Sequence, residues 1–126
     1  MVTPRVLVLA DDLIWQTRLV DALTRAGAAP AVARTATGLH RELPSSDAVV
    51  IDLTARGYDP ILAIVRSVAA GRRVLAVGQH DDIPLRKEAL AAGADRVYAY
   101  RKLFEAGPAT LGAWLATERP TVEAPS

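Results

Sequence analysis

The chain contains no cysteine, which removes disulfides, thiolate chemistry and cysteine-based zinc sites together and fits a reducing interior. It also lacks a dominant charge. The formal net charge is +1 and the arginines are scattered, so the basic stripe that nucleic-acid binding needs is missing. No run approaches the ~18 to 20 apolar residues that cross a bilayer. The start, "MVTPRVLVLADD", has neither the cationic opening nor the small-residue cleavage site of a secretory signal. Repeats and low-complexity tracts are absent. A soluble, cytoplasmic protein that binds neither membrane nor nucleic acid is expected.

What is present suits one ordinary domain. In 126 residues, 51% hydrophobic, there is enough apolar material for a core without metal or disulfide staples. Short aliphatic runs recur at residues 5–9, 31–33, 48–53, 74–77 and 96–100, and segments with helical spacing lie between them. In the first of these, Trp15, Leu19, Ala22, Leu23 and Ala26 share a face, and Gly27 offers a stop. The third opens on Asp59 as N-cap with Pro60 at the first helical position, covers 61–70 and ends at Gly71. The fourth begins near Asp82 and Pro84 and stops at Gly93. A weaker second helix spans 37–43 and a last one spans 108–117, where Leu111, Trp114 and Leu115 make an apolar stripe. Residues 1–118 thus form the domain, and 119–126 a frayed tail with little to bury.

Five strands alternating with five helices predict a doubly wound parallel sheet with helices on both faces. "VLVL" and "AVVIDL" are apolar at consecutive positions, as strands buried on both sides are. In such sheets ligands bind beyond the carboxyl ends of the strands, near the point where strand order reverses. Asp11 and Asp12 end the first strand and Asp52 the third. In the order 2-1-3-4-5 the three carboxylates converge on one crevice, where their mutual repulsion would raise a pKa or recruit a hard cation such as Mg²⁺.

Four segments, "LADD" (9–12), "RLVDALTRAG" (18–27), "VVIDL" (49–53) and "EALAAGADRVY" (88–98), resemble the CheY-like receiver domains of two-component response regulators. The likeness covers about residues 5–118. It implies a flavodoxin-like five-stranded fold, with Asp11 and Asp12 holding Mg²⁺ together with Asp52. It further implies that Asp52 is the nucleophile taking a phosphoryl group from a histidine kinase. Departures from the pattern are specific. Gly78 stands where the family has a Ser or Thr hydroxyl. The strand-five lysine is replaced by Tyr100, or by Arg101 or Lys102 under a shift of one or two residues, and no proline follows any of them. Ala55 and Arg56 stand after the acceptor in place of Met-Pro. The nucleophile is kept and the parts that read its phosphorylation are not, which predicts an atypical, phosphorylation-independent, non-enzymatic signalling module. Its output is expected through a protein partner or homodimer, with helix four, strand five and helix five as the face the likeness implies. A working phosphoreceiver, or a small-ligand domain using the same crevice, are the alternatives; the second lacks a glycine fingerprint after strand one and any cobalamin pattern.

Plainer readings accompany these. The acidic pair also suits an N-cap with a solvated neighbour, and Asp52 could pair with Arg56 or Arg101. His80 and His40 read as surface residues, and Trp15 as core or groove filling.

Overall fold

A computed structural model describes residues 3–117. Five parallel strands form one sheet in the order β2-β1-β3-β4-β5: β1 Arg5–Leu9, β2 Ala29–Ala33, β3 Ala48–Asp52, β4 Arg73–Gly78 and β5 Arg96–Ala99. The helices are α1 Leu13–Arg25, α2 Ala36–Glu42, α3 Pro60–Ala69, α4 Ile83–Ala91, α5 Tyr100–Ala106 and α6 Pro108–Ala116, with a 3-10 turn at Leu43–Ser45. This is the doubly wound α/β architecture expected from the sequence, with one element more. The expected tail, 119–126, lies outside the described residues.

The caps explain where helices begin. Asp12 accepts from the Ile14 and Trp15 amides at 2.9 and 3.0 Å, and Asp59 does the same for Ile61 and Leu62 ahead of Pro60. Asp82 accepts from Leu85, and Thr35 from Gly38. Each satisfies amide donors that the first turn leaves free.

Both sheet faces are covered. On one, Leu7, Leu9, Val49, Ile51, Val74 and Ala76 pack with Leu39, Ile64 and Ala89 from α2, α3 and α4. On the other, Val6, Val8, Val50, Leu75 and Val77 pack with Leu19, Leu103, Leu111 and Trp114 from α1, α5 and α6. Successive residues of one strand serve opposite faces, which is why β1 and β3 are apolar without alternation.

The difference from expectation lies after β5. The strand stops at Ala99, and Tyr100, expected in the strand, opens α5. Tyr100, Leu103 and Phe104 have the i, i+3, i+4 spacing of a helix face, and burial of the first two at 4% and 1% exposure draws the segment onto the sheet. Gly107 then separates α5 from α6 at φ 70°, ψ −160°, a region open essentially to glycine alone. The last helix expected from sequence is therefore α6.

Candidate functional site

Adjacent β1 and β3 pair with Leu9 opposite Ile51. That register brings Asp11, Asp12 and Asp52 to the same edge of the sheet, at the carboxyl ends of the strands. The Asp52 carboxyl responds to the charge of Asp11, so the two acids are neighbours. The three are nevertheless used differently.

Asp11 turns to the β3–α3 loop. Its Oδ2 accepts from the Arg56 and Gly57 amides at 3.1 and 2.7 Å. The approach is so close that a Cβ on Gly57 would stand 2.9 Å from that oxygen, so a side chain there would push the loop off the acid. Asp12 caps α1, as the plainer reading of the pair had it. Asp52 is wholly buried, at 0% exposure, and its Oδ1 accepts from the Thr54 amide and hydroxyl at 2.9 and 2.8 Å.

Asp52 Oδ2 has no hydrogen-bond partner, and neither has the buried hydroxyl of Tyr100. These two atoms are near enough to perturb each other, yet no hydrogen bond of acceptable geometry joins them. No cation pairs with Asp52 among the described residues; Arg101 binds Glu105 at 3.0 Å, and Arg56 meets the site through its backbone. Burial is the main influence on Asp52 and raises its pKa; the Thr54 bonds and the Tyr100 hydroxyl pull the other way, and Asp11 adds to the rise. Burial, then the Asp52 charge, likewise raises the Tyr100 phenol, which stays protonated.

Of the residues proposed to stand for the strand-five lysine, Tyr100 is the buried one, and its hydroxyl influences the Asp52 carboxyl. Arg101 and Lys102 are exposed on α5 and, with His80, Arg86 and Tyr98, line a groove of ≈ 460 Å³ on the outer surface. Gly78 is buried at the end of β4, and a Cβ there would meet two Leu53 carbons at 3.3 Å. Leu53 thus crowds the space a Ser or Thr side chain would need. His40 is exposed on α2.

As placed, the acids are not the convergent oxygen set that Mg²⁺ requires. Among the described residues no group of three or more His, Asp or Glu side chains is gathered so as to hold a metal ion; Asp11 and Asp12 each have one oxygen engaged by backbone amides.

Two features were not read from the sequence. The Tyr58 hydroxyl lies 2.9 Å from the Leu9 carbonyl and 2.7 Å from the Asp52 carbonyl, donating across the ends of β1 and β3. Tyr100 lies in a three-ring stack, 3.9 Å from Trp15 and 5.8 Å from Phe104 between centroids. Trp15, half-buried, fills a groove as expected, and Arg18 sits 5.4 Å from its centroid. For α5 and its stack the signal was the spacing of Tyr100, Leu103 and Phe104; for Tyr58, a bond to partners 49 and 6 positions away, there was none.

No helix among the described residues is long and apolar enough to cross a membrane. No family model matches the sequence, and no curated protein matches it. Solved structures do. A LuxR-family two-component response regulator from an Aurantimonas species is 25% identical, with TM-score 0.72 over 90% of this chain and 83% of that one. A two-component response regulator from Clostridium difficile superposes with TM-score 0.78 at 15% identity, over 90% and 96%. A CheY-like response regulator receiver domain protein from Methanospirillum hungatei gives 0.73 at 16%, over 90% and 91%. With that agreement added to its strand order, the chain has, over nine-tenths of its length, the fold of the CheY-like response-regulator receiver domains.

Proposed function

We propose that this chain is an atypical receiver-fold module that regulates by binding a protein partner, or a second copy of itself, without a phosphorylated state. The observation that carries this reading is the environment of Asp52. An acceptor carboxylate must be reachable by its donor, with positive charge nearby to balance the arriving phosphoryl group. Asp52 is buried, held on one oxygen by Thr54 and faced on the other by an uncharged phenol. Gly78 supports the same conclusion, since no side-chain hydroxyl is present there to meet a phosphoryl oxygen and Leu53 would stand 3.3 Å from a Cβ at that position.

The module is read as cytoplasmic and non-enzymatic, with no direct contact to nucleic acid or membrane. Its proposed partner face is the one expected of helix four, strand five and the last helix, here α4, β5 and α6; Arg86, Tyr98, Arg101 and Lys102 surround the outer groove along α4, β5 and the intervening α5. A second reading, a working phosphoreceiver, is favoured by the placement of Asp52 at the end of β3 beside Asp11. It requires Asp11, Asp12 and Asp52 to draw together around Mg²⁺, with Asp11 Oδ2 already engaged by the Arg56 and Gly57 amides, and it makes a histidine kinase the partner.

Incubation of the full chain with acetyl phosphate and Mg²⁺, followed by intact-mass spectrometry, separates the two. The expected result is an unmodified mass. One phosphoryl group per chain, lost on Asp52→Asn substitution, would overturn the first reading and establish the second.

A further inference from the structure

The rim of the sheet raises a question that the missing hydroxyl and lysine do not answer: what keeps Asp52 out of reach? The acid stands at the carboxyl end of a strand, where loops ordinarily leave a crevice, yet it has no exposed surface. Thr54 occupies Oδ1 and leaves Oδ2 free. The group facing that free oxygen is the Tyr100 hydroxyl. Its ring is 4% exposed and is stacked at 3.9 Å and 15° on Trp15 from α1, with Phe104, one turn along α5, in nearly parallel register at 10°.

Trp15 from α1 therefore holds the ring in place against α5, with Phe104 alongside. This placement costs a hydrogen bond, since both Oδ2 and the hydroxyl are buried without a partner, and such groups are rare in folded proteins. A side chain serving only to stabilise the fold would be better as Phe at this position. The supporting helix is a short separate piece, bounded by the end of β5 and by Gly107.

We propose that Tyr100, stacked on Trp15 with Phe104 beside both rings, is a plug that shuts the Asp52 carboxyl off from small carboxyl-reactive molecules, acyl phosphates included. This rests on the reading of the domain as phosphorylation-independent and adds its cause: the acid is intact and the ring denies access to it. Exclusion is a property of the ring, so Tyr100→Phe keeps it and Tyr100→Ala loses it.

The test couples carboxyl groups of the full chain to glycinamide with a water-soluble carbodiimide, in which the carboxyl loses oxygen to the urea by-product and forms an amide. Peptide mapping then reads labelling at Asp52 in the wild type, Tyr100→Phe and Tyr100→Ala. Circular dichroism checks each fold, and a parallel acetyl phosphate reaction is run on the wild type. Asp52 is expected to stay unlabelled in the wild type and Tyr100→Phe. In Tyr100→Ala its labelling should rise on the order of tenfold or more, as protection by local opening gives way to direct access. Labelling of Asp52 in the folded wild type, or none in folded Tyr100→Ala, overturns the plug while leaving the phosphorylation-independent reading standing. Phosphoryl transfer to wild-type Asp52 overturns both. Should Tyr100→Ala fail to fold, Trp15→Ala at a half-exposed position decides: increased labelling supports the plug and unchanged labelling overturns it.

Discussion

Asp95 and Asp52 stand at opposite ends of the same sheet, and their surroundings differ in kind. At the amino end, Asp95 just ahead of β5 accepts from Arg73 at 2.9 Å and from the Trp114 indole at 3.3 Å. Arg73 also donates to the Thr117 and Trp114 carbonyls at 2.6 and 2.7 Å and lies 5.0 Å from the Trp114 ring centroid. Charge, hydrogen bonds and ring face are all satisfied. At the carboxyl end, Asp52 is more deeply buried, has no cation, and leaves one oxygen unpartnered opposite an unpartnered phenol. The contrast separates two uses of a carboxylate. One ties β4 and β5 to α6 and stabilises the fold; the other is kept at the end where receiver-like folds place their chemistry, at a cost in stability.

Removing the partners of Asp95 should therefore destabilise the fold, whereas neutralising Asp52 itself should stabilise it. The largest effect is expected from Trp114→Ala, which removes a core ring of 2% exposure and the clamp on Asp95; a loss of about 3–5 kcal/mol should appear in urea denaturation. Arg73→Ala comes next, leaving Asp95 without its cation and two carbonyls without their donor. Because a third of the Asp95 side chain is exposed, the loss should be roughly 1–3 kcal/mol. A neutral result for either would break the comparison at its stable end. Tyr58→Phe sharpens the other end: it strips the donor shared by the Leu9 and Asp52 carbonyls, and about 1–2 kcal/mol should be lost.

The smallest and most informative change is Asp52→Asn, expected to stabilise by about 1 kcal/mol near neutral pH by removing a buried charge that no cation balances. Its sign depends on pH. Burial raises the folded-state pKa of Asp52 above its ordinary 3.8, so below 3.8 both folded and unfolded chains carry the proton and the wild type is not penalised. As pH climbs from 3.8 through the raised value, the unfolded chain releases its proton first and wild-type stability falls, levelling off above it. The advantage of Asp52→Asn over the wild type should thus be small in acid and grow with pH in denaturation midpoints. A gap that closes with rising pH would mean that the ionised carboxylate has a stabilising partner.

How much of this was legible in the chain depends on how local the cause was. A parallel sheet covered on both faces followed from apolar runs whose buried status is written in consecutive valines and leucines; the strand order, and with it the meeting of Asp11, Asp12 and Asp52 at one edge, came from the fold that the family resemblance implies. Helix starts followed from Asp12, Asp59 and Asp82, because an N-cap acts within three residues. The end of β5 was not local. Counting from Gly93 placed Tyr100 in the strand and left Arg101 and Lys102 as rivals, whereas packing against Trp15 and the sheet starts a helix there and selects Tyr100. The direction of Asp11 was equally hidden, since its amide partners lie 45 and 46 residues away. The capping by Asp12 could be read from the sequence; the engagement of Asp11 with a distant loop could not.

The most direct test of the central contrast is a ¹³C NMR titration of the Asp52 side-chain carboxyl in the full chain. A buried acid without a cation is predicted to titrate above 3.8. A midpoint at or below that value would show that hydrogen bonds or positive charge outweigh burial at Asp52, and would contradict the account.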